Sequence, residues 1–202
     1  EPIDHPMIRT SINAMAETYN IASEKPDAGT ALSPYTGGQV NRFLHIHENA
    51  GDLVAKARLQ RDLGSRTGTC FQRCVGLDAI NALHSVTFET DEAHGTDYHA
   101  RFLKFLGKVQ KKNQVIGGAM TDAKGDRSKA PHQQVDKDVY LHVSERREDG
   151  VVVRGVKCHQ TGCVNSHWLV VMPTIRLTEE DKDFAIVGAV PAHAEGITYI
   201  YG

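Results

Sequence analysis

Val139-Tyr140-Leu141-His142-Val143-Ser144-Glu145-Arg146-Arg147-Glu148-Asp149-Gly150-Val151-Val152-Val153-Arg154-Gly155-Val156 is where the pattern of the chain changes. Val139, Leu141 and Val143 alternate with Tyr140, His142 and Ser144, the period of two expected of a strand with one buried face. Glu148-Asp149-Gly150 then supplies a turn, and residues 151–156 return as the second arm of a hairpin. Further strands are expected at 168–172, 184–190 and 197–201, and residues 117–128 form a glycine-rich connector ahead of them.

Upstream the period is helical. Met7, Ile8, Ile12, Met15 and Tyr19 recur every three or four residues, and Asp52 caps a second helix through Leu53, Ala57 and Leu63 towards Gly64. Residues 26–38, with Pro34, Gly37 and Gly38, read as a turn-rich connection. A third helix is expected from Thr69 to His94, burying Phe71, Cys74, Leu77, Leu83 and Val86 or their near neighbours and ending at Gly95. Thr96 caps a fourth that carries Tyr98, Phe102, Phe105, Leu106 and Val109. Helices followed by antiparallel strands define an α+β chain, divided into a helical part at 1–113 and a β part at 114–202.

The 202 residues suffice for a core without disulfide staples. Lysine plus arginine (23) nearly balances aspartate plus glutamate (25), so the totals favour neither nucleic acid nor an anionic membrane as partner. A small molecule or another protein is the expected partner. No apolar run approaches the ~20 residues of a spanning helix, and Glu1-Pro2-Ile3-Asp4-His5 is no signal peptide, so the chain reads as cytosolic. Glu1 in place of a starting methionine, and an expected strand with no closing element at Tyr201-Gly202, read as a section of a longer chain.

The cysteines carry the strongest chemical signal. In Thr69-Cys70-Phe71-Gln72-Arg73-Cys74-Val75-Gly76, a spacing of four on a helix brings Cys70 and Cys74 to one face, roughly 5–6 Å apart at Cβ. That is half of a soft-metal or iron-sulfur site, which closes with about four ligands. Two small buried hydrophobes account for the same spacing, and a zinc clip is a third possibility. Cys158-His159-Gln160-Thr161-Gly162-Cys163 offers further thiols, but an odd separation on a β element sends the two side chains to opposite faces. In Gly117-Gly118-Ala119-Met120-Thr121-Asp122-Ala123-Lys124-Gly125-Asp126-Arg127-Ser128, glycines allow close backbone approach to a ligand. Thr121, Asp122, Lys124 and Arg127 add polar groups suited to a flavin ring or a phosphate. A solvated connector explains the composition as well.

Five segments taken in order resemble the 4-hydroxybutyryl-CoA dehydratase family. They are Asp4-His5-Pro6-Met7-Ile8-Arg9, Cys70-Phe71-Gln72-Arg73-Cys74-Val75-Gly76, Met120-Thr121-Asp122-Ala123-Lys124-Gly125-Asp126-Arg127, His159-Gln160-Thr161-Gly162 with Asn165-Ser166-His167, and Met172-Pro173-Thr174. That family is grouped with the flavin-dependent 4-hydroxyphenylacetate 3-monooxygenases, and both resemble acyl-CoA dehydrogenases in fold.

The resemblance implies a helical N-terminal domain, a central β domain and a C-terminal helical bundle that lies beyond Gly202. It implies FAD, a four-iron four-sulfur cluster, a CoA-thioester substrate and a homotetramer. Cys70 and Cys74 match two cluster ligands, and a histidine and a cysteine from later sequence, or from a companion chain, would complete the set. Met120, Thr121, Asp122, Lys124, Gln160 and Thr161 match flavin-contacting positions, with Thr161 also near the substrate as the catalytic candidate. The activity implied is dehydration of 4-hydroxybutyryl-CoA to crotonyl-CoA, with isomerisation of vinylacetyl-CoA. The alternatives are a flavin-dependent aromatic hydroxylase on the same scaffold and a non-catalytic fragment whose cysteines serve packing.

Overall fold

The structure, a computed structural model, describes residues 3–200, and these form a mixed helix-and-sheet chain in two compact units. The first runs to Ile116 and takes in Asn165–His167; the second comprises Gly117–Val164 and the chain from Trp168 onward.

The first unit begins with α1 (Pro6–Glu24), whose N-terminus is capped by the His5 ring and whose inner face is Ala14, Met15, Thr18 and Ile21. Lys25 precedes Pro26, and the proline ring disfavours helical geometry at the residue before it, so α1 stops there. The short α2 (Pro26–Gly29) follows, and Arg42 donates to the carbonyls of Asp27, Ala28 and Thr30 at its end. The expected connection at 26–38 thus contains this turn of helix and the first arm of a small antiparallel hairpin, β1 (Thr30–Leu32) with β2 (Gln39–Asn41). Three-residue strands are too short to show a period in sequence.

Helix α3 (Ala50–Thr67) is capped by Asn49, not Asp52. Asn49 Oδ1 accepts the Asp52 N–H, while Asp52 Oδ2 accepts the Glu48 N–H, so Asp52 serves the first turn from inside it. The helix passes Gly64 and ends at left-handed Gly68. Helix α4 (Cys74–His94) starts five residues later than the pattern predicts, because Gln72 adopts a left-handed backbone with φ of 67° that no helix accommodates. It buries Gly76, Leu77, Ala79 and Ile80, whereas Val86 is exposed: the second half of α4 meets its neighbour through Thr87 and Phe88, both against His99. Asp97, not Thr96, stands before α5 (Tyr98–Lys111); Asp91, just ahead of the Gly95 reversal, accepts the Thr96 hydroxyl and the Tyr98 and His99 N–H groups. Ile21, Leu63, Leu77, Ile80, Leu106, Val109 and Val115 make the core.

The second unit holds a three-stranded sheet, with β6 (Trp168–Val171) between β3 (Ile116–Ala119) and β7 (Gly188–Pro191), over a core of Ala119, Leu169 and Val171. β3 opens the segment read as a connector. The expected hairpin is present as β4 (His142–Arg147) and β5 (Gly150–Arg154), paired antiparallel with an irregularity between Val143 and Glu145. It begins later than the alternation implies, since Asp136 caps a tight turn at Lys137–Val139. Of the strand expected at 184–190, residues 188–190 form part of β7, while Phe184 instead ends a turn of helix, Glu179–Phe184. That turn exists because Asp181, fully buried, accepts the Thr178 N–H and hydroxyl and the His132 N–H. No strand forms over 197–200, where turn bonds from Ala194 to Pro191 and from Ile197 to Ala194 replace extended pairing; Tyr201 of that expected strand lies outside the described residues.

Candidate functional site

In the first unit the cysteine pair occupies a loop and a helix start rather than one helical face. Cys70 is exposed in the loop ahead of α4, and Cys74 is the first residue of that helix. The reversal at Gln72 nevertheless keeps the thiols near each other. Burial pushes the Cys74 thiol up, the nearby Cys70 sulfur adds to the rise, and N–H groups of the first turn of α4 oppose it. The Cys70 sulfur in turn accepts the Gln72 N–H at 3.4 Å. Two neighbouring sulfurs, one open to solvent and receiving the Gln72 N–H and the other at a helix start, suit thiolate ligation of an iron-sulfur edge. Among the described residues no group of three or more His, Cys, Asp or Glu side chains converges, so no third such side chain stands beside the pair.

Gln72 does not project to the surface as helical spacing implies. Its side chain is buried, with Nε2 donating to the Ser11 carbonyl and hydroxyl, both at 2.9 Å, and Oε1 accepting from Asn165 Nδ2 at 2.9 Å. Asn165 also lines an open groove of about 240 Å³ with Ile12, Met15, Ala16 and Tyr19. The neighbouring Arg73 is 1% exposed and lies over the Tyr19 and Phe43 rings at 5.0 and 5.4 Å. Burial holds its guanidinium down at about 10, which leaves it charged at neutral pH. Just beyond, Gly76 lets the start of α4 press on the Ile116 backbone, where a Cβ would lie 1.9 Å from the carbonyl oxygen.

In the second unit one lysine joins segments that carry candidate flavin positions. Lys157 Nζ, nearly buried, pairs with Asp122 Oδ1 at 2.7 Å and donates to the carbonyls of Met120 at 3.0 Å and Met172 at 2.9 Å. The Cys158 N–H bonds the Thr121 carbonyl at 2.7 Å, and Asp122 bridges antiparallel to Lys157. One ammonium therefore ties together the segments at 120–122, 157–161 and 172–174. The Asp122 carboxylate faces inward, against a void of about 10 Å³ that holds at most one water, so the side chain is committed to Lys157. Lys124 takes a left-handed backbone and receives the Tyr140 hydroxyl on its carbonyl, and a Cβ at the following Gly125 would meet Gln134 at 2.5 Å. Gln160 donates to the Cys158 carbonyl, closing a tight turn at left-handed His159. Thr161 is exposed at the tip of that turn, ahead of left-handed Gly162. Cys163 packs against the sheet core, with its thiol pushed up by burial. Lys157 was missed in sequence because a lone lysine after a strand carries no pattern; Ser11 and Asn165 were missed as partners of Gln72 because their contacts span 61 and 93 residues.

The family model of the 4-hydroxyphenylacetate 3-hydroxylase N-terminal region matches residues 1–202. The chain belongs to this hydroxylase-type family. Among its curated relatives, the 4-hydroxybutyryl-CoA dehydratase/vinylacetyl-CoA-Δ-isomerase of Clostridium aminobutyricum is 50% identical over 99% of this chain and 41% of its own length. The oxygenase component of 4-hydroxyphenylacetate 3-monooxygenase from Geobacillus is 24% identical over 97% of the chain and 40% of its own. Among solved structures, an oxygen-tolerant archaeal 4-hydroxybutyryl-CoA dehydratase from N. maritimus superposes with a TM-score of 0.98 at 64% identity, covering 100% of this chain and 40% of that one. A 4-hydroxyphenylacetate 3-monooxygenase oxygenase component solved with FAD superposes with a TM-score of 0.75 at 17% identity, over 97% of this chain and 40% of that one, and shares the fold. Within this hydroxylase-type family the chain spans about 40% of the length of the relatives it matches.

Proposed function

We propose that this chain is the N-terminal and central part of a 4-hydroxybutyryl-CoA dehydratase, converting 4-hydroxybutyryl-CoA to crotonyl-CoA and water and isomerising vinylacetyl-CoA. The observation that carries the reading is the contrast between 64% identity to a solved dehydratase and 17% to a solved oxygenase on one fold. The cysteine pair at the head of α4 supports it chemically. The complete protein would have the acyl-CoA dehydrogenase-like plan, with a C-terminal helical bundle, two further cluster ligands and a cytoplasmic homotetramer.

FAD supplies one-electron chemistry at a carbon that no adjacent carbonyl acidifies, and a four-iron four-sulfur cluster supplies a Lewis acid for the departing hydroxyl. Cys70 and Cys74, on losing their protons, would hold the iron from this chain. Gln72 is clamped by Ser11 and Asn165 and fixes the loop between them. Lys157 fixes the Met120–Asp122 backbone, so that Met120, Thr121 and Lys124 would hold the flavin while Asp122 anchors the segment through Lys157. Gln160 shapes the turn that presents Thr161, whose hydroxyl orients flavin and thioester.

Anaerobic purification of the complete protein tests this. Iron, labile sulfide and FAD in one preparation, with crotonyl-CoA formed from 4-hydroxybutyryl-CoA, are the expected results. FAD without iron, together with oxygen uptake coupled to phenol hydroxylation, would replace this reading with the aromatic hydroxylase.

A further inference from the structure

We infer that Ser11 and Asn165 are positioning residues for the cysteine pair, acting through Gln72 to set the spacing and orientation of the Cys70 and Cys74 sulfurs. The inference rests on the cluster-binding role proposed above and extends it to residues outside the ligand set.

The hydrogen-bond directions in this network are fixed by one group. The main-chain carbonyl of Ser11 only accepts, so the atom of Gln72 at 2.9 Å from it is Nε2. Oε1 then faces Asn165, and the Asn165 atom at 2.9 Å from it has to be Nδ2, which also donates to Ser11 Oγ at 2.8 Å. Ser11 Oγ receives Nδ2 of Asn165 and Nε2 of Gln72 together. The three side chains form a closed ring of donors and acceptors with a single consistent orientation.

What the ring holds is an unfavourable backbone. Gln72 carries a Cβ, yet sits at φ of 67°, a region that costs an ordinary residue of order 1 kcal/mol. In this conformation its N–H reaches back to the Cys70 sulfur, and the chain turns so that Cys74 opens α4. A loop relaxing to φ below zero would carry Cys70 away from Cys74 and remove the N–H from its sulfur. Burying a fully bonded amide between α1 and the 165–167 segment resists that relaxation, because leaving would strand Ser11 and Asn165 polar groups. Glycine would suit the backbone better at position 72, but has no amide to clamp.

The test uses the complete protein purified without oxygen. Asn165→Asp keeps the volume but sets an acceptor where Nδ2 donated to Gln72 Oε1 and Ser11 Oγ, so the bond to Oε1 is lost; Ser11→Ala removes the shared acceptor. Both are expected to retain FAD and the wild-type unfolding midpoint to within a few degrees. Both are also expected to shift the electron paramagnetic resonance signature of the reduced cluster and to lose cluster absorbance on air exposure about tenfold faster. Ser11→Thr, which restores the hydroxyl, is expected to recover the wild-type decay, and Tyr35→Phe, removing a remote hydrogen bond to His84, to leave it unchanged. Should either substitution unfold the protein, alkylation rates of Cys70 and Cys74 in the metal-free form of the variant that stays folded, compared with metal-free wild type and Ser11→Thr, read the same geometry. Wild-type protein without iron would defeat the cluster reading itself. Iron-loaded wild type whose signature and decay are matched by both variants would overturn the positioning role alone.

Discussion

Replacing Lys157 by methionine isolates the contribution of one buried ammonium. Methionine keeps the length of the side chain and removes the charge, leaving the Asp122 carboxylate, 3% exposed at its side chain, with the Leu141 N–H at 3.3 Å as its remaining hydrogen bond. Breaking a buried ion pair from one side costs about 3–5 kcal/mol, because the surviving charge loses its partner without regaining water. The carbonyls of Met120 and Met172 lose their donor as well, each worth about 1 kcal/mol where the chain cannot relax. These losses share one network and do not add fully, so a total of about 4 kcal/mol is expected. With a urea slope of about 2 kcal/mol per molar, the midpoint falls by about 2 M. Asp122→Leu alone should cost less, since the ammonium keeps two carbonyls. The double substitution should cost clearly less than the sum, because both charges leave together. Urea titrations of the four proteins close the cycle, and FAD content measured alongside should fall with Lys157→Met. Single costs that add to within about 0.5 kcal/mol would refute the buried pair.

Four further outcomes follow from the same geometry. Gly76→Ala places a methyl into the Ile116 carbonyl and should cost several kcal/mol by overpacking, with loss of iron in the purified protein as α4 and Cys74 shift. Asp181 is held down at about 2: burial raises it, but the His132 side chain, the Thr178 and His132 N–H groups and the Thr178 hydroxyl outweigh that. Because its folded value lies below the unfolded one, its stabilisation is present above about pH 4 and lost as pH falls towards 2, so Asp181→Asn should cost about 1–2 kcal/mol at pH 7 and progressively less in acid unfolding titrations. In the metal-free protein, iodoacetamide should modify exposed Cys70 before Cys74, whose thiol is pushed up by burial; peptide mass analysis over time gives the order. Thr161→Val, at an exposed turn tip, should leave the unfolding midpoint unchanged and lower kcat for 4-hydroxybutyryl-CoA by about tenfold or more.

The parts of the fold legible in sequence are those where one element carries its own period. The helical period announced α1 itself, although its buried face is Ala14, Met15, Thr18 and Ile21, sharing only Met15 with the face read from sequence, and Met7 is exposed; the β4–β5 hairpin shows its turn. Where the structure departs from the pattern, a side chain from a distant segment decides the backbone. Asp181 holds a helical turn ahead of β7 by accepting from His132, 49 residues away, as well as from Thr178, and Asp91 starts α5 from the end of the preceding helix. The His132 bond has no local signature. Val86 was assigned to the core from periodicity alone, but periodicity states which residues share a face, not whether anything packs on it.

The cysteine pair shows the same division at the scale of a site. Spacing brought Cys70 and Cys74 into consideration together but assumed a helix through the segment between them. A helix would have aimed Gln72 away from the cysteine face. The left-handed turn turns it inward, and the inward amide is what Ser11 and Asn165 hold. A helix through 70–74 would also pair the main-chain N–H groups with carbonyls one turn back, leaving few to reach a sulfur. The loop frees the Gln72 N–H for Cys70 and puts Cys74 where the first-turn N–H groups of α4 are unpaired. The break in helical geometry that sequence reasoning missed is therefore what gives the two sulfurs donors of their own, and a thiolate pair bound to iron benefits from those donors more than from a shared helical face.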